Sequence, residues 1–148
     1  ATFALHAFEQ GTRLPEMGLR DTQGKPVALQ DFVGKPLVIN LWATWCPPCR
    51  REMPVLAKAE QNNPDINFVL INQREPADTV KQFLAQMSLQ FSQVLLDTTG
   101  QVPQQFGAFG LPVTLYFDAQ GQLVDSHMGE VSDASLAAAI SKLRNSSP

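Results

Sequence analysis

The sequence predicts an α/β fold in which helices flank a central mixed β-sheet. Three observations carry this expectation. Apolar runs of strand length alternate with segments of helical periodicity through the first two thirds of the chain. Near the C-terminus two short strand-like runs are joined by the turn Ala119-Gln120-Gly121, which makes an antiparallel pair before a last helix. The run "PLVINLW", Pro36–Trp42, is apolar except for Asn40 and contains β-branched residues, which suits a strand covered on both faces. Strands that alternate with helices and then close as a hairpin imply a layered fold with both parallel and antiparallel pairing.

Residues 1–13, "ATFALHAFEQGTR", have no clear periodicity and are expected to form a loose arm. The span 14–145 is expected to be a single domain. Met17–Leu29 carries the turn Thr22-Gln23-Gly24-Lys25 between two strand-like pieces and reads as an N-terminal hairpin. "QDFVGKP" is expected to be a loop or a short helical turn ending at Gly34. After the strand Pro36–Trp42, a helix can start at Pro47, because proline at the first helical position loses no intrahelical hydrogen bond. Met53, Leu56 and Ala57 follow at helical spacing, and Pro54 is expected to kink or reset this helix. Ile66–Asn72 is the next strand. Val80, Phe83, Leu84 and Met87 then form one apolar stripe, which predicts an amphipathic helix. Phe91–Asp97 is strand-like, and "GQVPQQFGAFG" is a loop with room for one helical turn. Pro112–Asp118 and Gln122–Met128 make the closing hairpin. Asp133–Arg144 is the last helix, with Leu136, Ile140 and Leu143 inward and Ser132 or Asp133 as its cap.

At 148 residues the chain can bury a real core without a disulfide. A net charge of −3, with Arg50-Arg51 as the only adjacent basic pair, argues against a nucleic-acid partner. No segment reaches the ~18 consecutive apolar residues of a membrane span. The chain opens with Ala1, which suggests a processed or truncated product, so the lack of a targeting signal or N-terminal membrane anchor in it is uninformative.

Both cysteines lie in "NLWATWCPPCRREMP", at Cys46 and Cys49, where the buried strand turns into a helix. As a staple, a bridge over two residues closes so small a loop that it restricts the unfolded chain little. As a metal clip, the pair lacks partners, since a structural zinc site needs four ligands and only His6 and His127 remain. A redox pair fits better. Cys46 at the helix cap would have its thiol pKa lowered by free N–H groups, and Cys49, one turn in, could resolve a mixed disulfide. Pro47 and Pro48 have no N–H, so only the Cys49 N–H remains among the nearest donors to the Cys46 sulfur. The thiolate should then be stabilised only modestly, which makes the pair a stronger reductant. Stiffening of the turn is the alternative reading of the prolines.

The pattern resembles the TlpA/ResA/DsbE (CcmG) branch of the thioredoxin-like family. "LVINLWATWCPPCRREMP" is similar to its signature, "GKPVALQDFVGKPLVINLW" to its N-terminal hairpin and first core strand, and "INQREPADTVKQFL" to its extra central segment. "FGAFGLPVTLYFDAQGQLVDSHMG" resembles its cis-proline loop and closing hairpin. The similarity spans about Leu14 to Leu143. It implies a thioredoxin-like fold with a central αβ insertion, and an extracytoplasmic thiol–disulfide oxidoreductase, periplasmic or membrane-anchored. It implies a protein-disulfide reductase with Cys46 as nucleophile and Cys49 as resolving thiol. No cofactor beyond the Cys46–Cys49 disulfide and no metal are expected. Protein thiols and disulfides would be its substrates, a membrane protein of the DsbD/CcdA kind its electron donor, and a monomer its state. The motif itself does not specify the client, whether apocytochrome c, another periplasmic thiol enzyme or a metal-site assembly factor, nor the direction of electron flow.

The resemblance also assigns supporting residues. Thioredoxin's buried Asp falls at Asn40, which cannot titrate; in this branch a Glu at the Glu52 position takes over proton exchange with the second cysteine. The bland reading of Glu52 is a solvated side chain near a helix N-terminus. Pro112 in "GLPVT" matches the cis-proline, and the backbone of Leu111 could pair with an extended substrate. Trp45, Pro47 and Pro48 would complete the substrate rim, with Trp45 covering Cys49, while Trp42 suits the core equally well. Glu75 falls where the family often has an acidic residue near the site, although loop acids are usually solvated. Arg50 and Arg51 are expected to be solvated. Two alternatives stand beside the reductase. A thiol peroxidase expects Thr or Ser three positions before the attacking cysteine, where Ala43 stands. A copper carrier expects a wider cysteine gap and a distant His, for which only His127 is plausible.

Overall fold

A computed structural model describes residues 11–146. Its centre is a seven-stranded sheet in the order β2-β1-β5-β4-β3-β6-β7. The strands are β1 (Gly18–Asp21), β2 (Pro26–Ala28), β3 (Leu37–Trp42), β4 (Asn67–Gln73), β5 (Gln93–Asp97), β6 (Val113–Phe117) and β7 (Leu123–Met128). The helices are α1 (Pro47–Asn62), α2 (Ala77–Gln86), α3 (Gln101–Phe106) and α4 (Asp133–Asn145), with a short 3-10 turn at Leu29–Phe32. β3, β4 and β5 are parallel, and the other pairings are antiparallel. This is the mixed sheet expected, with the thioredoxin-like architecture.

All six residues of β3 are buried. Leu37, Ile39 and Leu41 enter one core with Leu29, Phe32, Val102 and Phe106. The alternate residues face the other layer: Val38 packs with Leu56 of α1 and Leu136, Ile140 and Leu143 of α4. Trp42 packs with Met53 of α1 and Val80 and Phe83 of α2, its ring 5.5 Å from that of Phe83. Asn40 shares that second face. A strand buried on both sides therefore brings one amide under α1, and it ends where α1 begins.

Four expectations change. Residues 11–13 are not part of a loose arm: Gly11 N–H donates to the Leu123 carbonyl, Leu123 N–H to the Thr12 carbonyl, and Arg13 bridges Gln122. They run beside β7, whose outer edge would otherwise be unpaired. The rest of the arm, residues 1–10, lies outside the described residues. Pro54 does not reset α1, which runs through it for sixteen residues. It sits on the exposed face, where water can serve the Arg50 carbonyl that its missing N–H releases. Met87 is not part of the inward stripe; it follows the last turn of α2 and is 39% exposed. The segment "GQVPQQF" holds more than one turn, because buried Asp97 caps it: its carboxylate accepts the Gln101 and Val102 N–H groups, both at 2.9 Å. No helix among the described residues is long and apolar enough to cross a membrane.

Replacing Asp97 by Ala leaves two donors at the start of α3 without their acceptor. The expected loss is about 1–3 kcal/mol of unfolding free energy, measured by urea denaturation. A change below about 0.3 kcal/mol would show that the cap contributes nothing.

Candidate active site

The site begins where β3 stops. Trp42 is the last strand residue, Thr44 and Trp45 form a turn, and Cys46 adopts an extended backbone as the N-cap of α1. Its N–H donates to the Ala43 carbonyl at 3.3 Å. Its sulfur accepts the Cys49 N–H at 3.3 Å. Pro47 and Pro48 fill the first two helical positions and can offer nothing, so the sulfur has the single donor that the sequence allows. Cys46 and Cys49 are joined as a disulfide, their Cα atoms 5.2 Å apart.

The pair at the junction is nearly closed to solvent. Cys46 is 3% exposed and Cys49 0%. Both belong to the cluster of Trp42, Ala43, Met53 and Val80, with Leu111 packed against it. The burial has a simple cause: the cap directs Cys46 back over the first turn, into the space between β3 and the loop ahead of β6. The residual exposure still belongs to Cys46, so an incoming thiolate meets that residue first.

Around this point lies a rim. The Leu111–Pro112 peptide bond is cis. Pro112 is buried, and its carbonyl accepts the Gly129 N–H at 2.9 Å. The Leu111 amide and carbonyl form no backbone hydrogen bond among the described residues. Trp45 is 69% exposed, so it stands on the rim and does not cover Cys49. Pro47 is exposed and Pro48 half-buried. Phe109 (77% exposed), two residues before Leu111, and Met128 (50%), paired with Val113, are further exposed apolar side chains. Sequence reasoning missed both. The available signal for Phe109 was an aromatic between glycines, two residues ahead of "LP".

Glu52 is the finding that most changes the chemistry. It lies three residues beyond Cys49 on α1 and is 0% exposed, which removes the solvated reading. Its Oε2 accepts from Asn40 Nδ2 at 2.7 Å and its Oε1 from the Val131 N–H at 3.1 Å. Asn40 Nδ2 also donates to Thr114 Oγ1 at 3.1 Å, and Asn40 Oδ1 has no protein partner. Burial disfavours the carboxylate more than these two donors favour it, and nearby Glu130 adds repulsion. The Glu52 pKa is raised from 4.5 to about 7. Val131 and Glu130 were not foreseen, for they come almost eighty residues after Glu52 and no local pattern marks them.

The other singled-out residues separate cleanly. Trp42 is a core residue. Arg50 is exposed, its guanidinium 5.6 Å from the centre of the Phe83 ring. Arg51 is exposed and pairs with Glu130 at 2.9 Å. Glu75 is half-buried and hydrogen-bonded, not a solvated loop acid. His127 directs Nε2 to the Glu130 carbonyl at 3.0 Å, and among the described residues no three His, Cys, Asp or Glu side chains gather as a metal site. His6 lies outside the described residues.

The burial of Glu52 also governs stability. Its pKa is higher in the folded chain than in the unfolded one, so the folded chain holds the extra proton between these values. The associated stability is complete below about pH 4.5 and is lost as pH rises through about 7. At about 1.4 kcal/mol per factor of ten in proton affinity, the loss amounts to roughly 3 kcal/mol. In Glu52→Gln this component should vanish; Asn40 can then turn its free Oδ1 toward the new amide. Urea denaturation of the oxidised forms across pH 4–8 checks it, and parallel profiles for both proteins would refute it.

Comparison with known proteins agrees with the geometry. The Redoxin family model matches residues 9–140. Thiol-disulfide oxidoreductase ResA of Bacillus thuringiensis subsp. konkukian is 29% identical over 138 residues, spanning 92% of this chain and 79% of that protein. The Bacillus subtilis ResA is 30% identical over 130 residues, spanning 86% and 72%. A Chlorobium tepidum structure named for the thiol:disulfide interchange protein DsbE superposes with a TM-score of 0.81 at 25% identity, covering 92% of this chain and 99% of that one. With its Cys46–Cys49 pair set at a strand-to-helix junction, the chain belongs to the Redoxin family and, within it, to the ResA/DsbE-type thiol-disulfide oxidoreductases of thioredoxin-like fold.

Proposed function

We propose that this chain is a periplasmic protein-disulfide reductase working through the Cys46–Cys49 dithiol. The observation that carries the proposal is the pairing of a thinly capped sulfur with a buried carboxyl. The Cys46 sulfur has one N–H donor, and Glu52 lies one turn beyond Cys49, with a pKa raised to about 7.

In the reduced protein, the Cys46 thiolate attacks one sulfur of a client disulfide. A Cys46–client disulfide forms, and the client's other sulfur leaves as a thiolate. The Glu52 carboxylate then takes the Cys49 proton, which suits a base whose pKa is near the working pH. The Cys49 thiolate attacks the Cys46 sulfur. The intramolecular disulfide forms and the client's second thiolate departs. Two electrons have passed from the dithiol to the client, and the protein is left in the oxidised form described above.

The rim supports a protein client. The amide and carbonyl of Leu111, without a backbone partner among the described residues, can pair with an extended segment, strand to strand, and the Leu111 side chain packs against the cluster that holds Cys46. Trp45, Pro47 and Pro48, on either side of Cys46 in the chain, offer apolar surface. The resemblance to the ResA and DsbE proteins supports the periplasmic setting and a DsbD/CcdA-like membrane donor that restores the dithiol. Both sulfurs, the acid and the rim lie in one chain, so a monomer suffices.

Direction follows from capping. A thiolate with one N–H donor is stabilised less than one with three, so the reduced state gives up its electrons more readily. Equilibration with glutathione or dithiothreitol should place the pair nearer thioredoxin's value of about −270 mV than the roughly −120 mV of DsbA. A potential above about −180 mV, that of protein disulfide isomerase, would contradict the reductase assignment.

A further inference from the structure

One carboxylate outside this machinery is held by more donors than Glu52. Glu75 lies in the loop between β4 and α2. Its Oε1 accepts the Thr44 N–H at 2.8 Å and Asn72 Nδ2 at 2.8 Å. Its Oε2 accepts the Thr44 hydroxyl at 2.5 Å. These are charge-assisted bonds, the stronger class. Two of them go to one residue, and that residue stands two positions before Cys46.

The backbone is bent to make this reach. Arg74, just before Glu75, has φ 60, a left-handed conformation that is disfavoured for a non-glycine residue. Two contacts hold it: the Arg74 N–H donates to the Asp97 carbonyl at 3.0 Å, and the guanidinium lies against Gly100, where a Cβ would come within 2.6 Å of Nε. The turn it grips has little other support. Between buried Trp42 and the cap of α1, the one other backbone bond among the described residues is the 3.3 Å contact from Cys46 N–H to the Ala43 carbonyl.

We propose that Glu75 is a positioning residue for the redox pair: it clamps the Thr44–Trp45 turn, and so keeps Cys46 nearly closed to small solutes and Trp45 turned out toward the client. The clamp makes the site selective. A small reagent finds little of Cys46 exposed, whereas a client that docks on the rim meets the sulfur in a fixed place. The second half of this statement rests on the reading of Cys46 as the attacking sulfur.

Three variants test it: Glu75→Ala, Glu75→Gln and Thr44→Val. In the reduced proteins, iodoacetamide alkylation of Cys46 and reduction of insulin disulfides are measured, with Tm as a control. A glutamine keeps an acceptor for Thr44, and its amide can donate to Asn72 Oδ1, which has no protein partner. Glu75→Ala should raise Cys46 alkylation at least about threefold, as the turn opens locally. It should slow insulin reduction about tenfold through kcat, as expected for a misplaced reacting group. Glu75→Gln should stay within about twofold of wild type in both measures, and Thr44→Val, which keeps the N–H bond, should fall between. Wild-type rates in Glu75→Ala would overturn the proposal, as would a Glu75→Gln protein as impaired as Glu75→Ala, which would mean that charge and not grip matters. Should Glu75→Ala fail to fold, wild-type rates in Thr44→Val overturn it alone. Failure of the underlying reading looks different: Cys49 would be alkylated before Cys46 in the wild-type protein.

Discussion

A carboxyl group without solvent contact, held by one side-chain amide and one backbone N–H, is the constraint on which the site depends. Glu52 cannot relax into water, because α1, β3 and the segment after β7 close over it. Two donors stabilise its anion, but they do not replace a hydration shell. The carboxyl is therefore balanced between its two protonation states near neutral pH. An exposed glutamate at the same place would be ionised throughout the physiological range and a poor partner for a thiol proton.

The fold makes that balance by a chain of local decisions. β3 is buried on both faces, so its single polar residue must find partners inside, and Asn40 finds Glu52 and Thr114. The strand passes into α1 through one turn, so the helix cap is itself one of the two redox cysteines. Two prolines at the helix start are harmless to the helix but strip the cap of donors. The result is a Cys46–Cys49 pair whose outer sulfur accepts one N–H, on a helix that also buries a carboxyl with its pKa raised to about 7.

Much of this was legible in the sequence, and the unread parts have physical causes. β3 shows itself because both faces are apolar, and the hairpins because their turns carry glycine. The cap at Cys46 follows from Pro47, and the donor count from having two prolines there. Pro112 was recognised by its setting in "GLPVT", since a lone X–Pro bond is rarely cis. Burial was less legible. Glu52 has the same spacing from Cys49 whether buried or solvated; only the distant Val131 and Thr114 decide. Glu75 looks like a loop acid until the left-handed turn at Arg74 brings it beneath Thr44. The pairing of residues 11–13 with β7 is a long-range contact without local periodicity. Pro54 carries a strong helix-breaking signal, yet the burial of Met53 and Leu56 on either side keeps α1 continuous.

The central claim is that Glu52 exchanges a proton near neutral pH and is coupled to the dithiol. Its most direct measurement is a carboxyl titration by 13C NMR on protein labelled at glutamate, in the oxidised and reduced states, with Glu52→Gln to assign the resonance. The account expects a midpoint near pH 7 in the oxidised protein, displaced on reduction when the Cys49 thiol becomes its neighbour. A Glu52 midpoint at the ordinary glutamate value of about 4.3 in both states would contradict it.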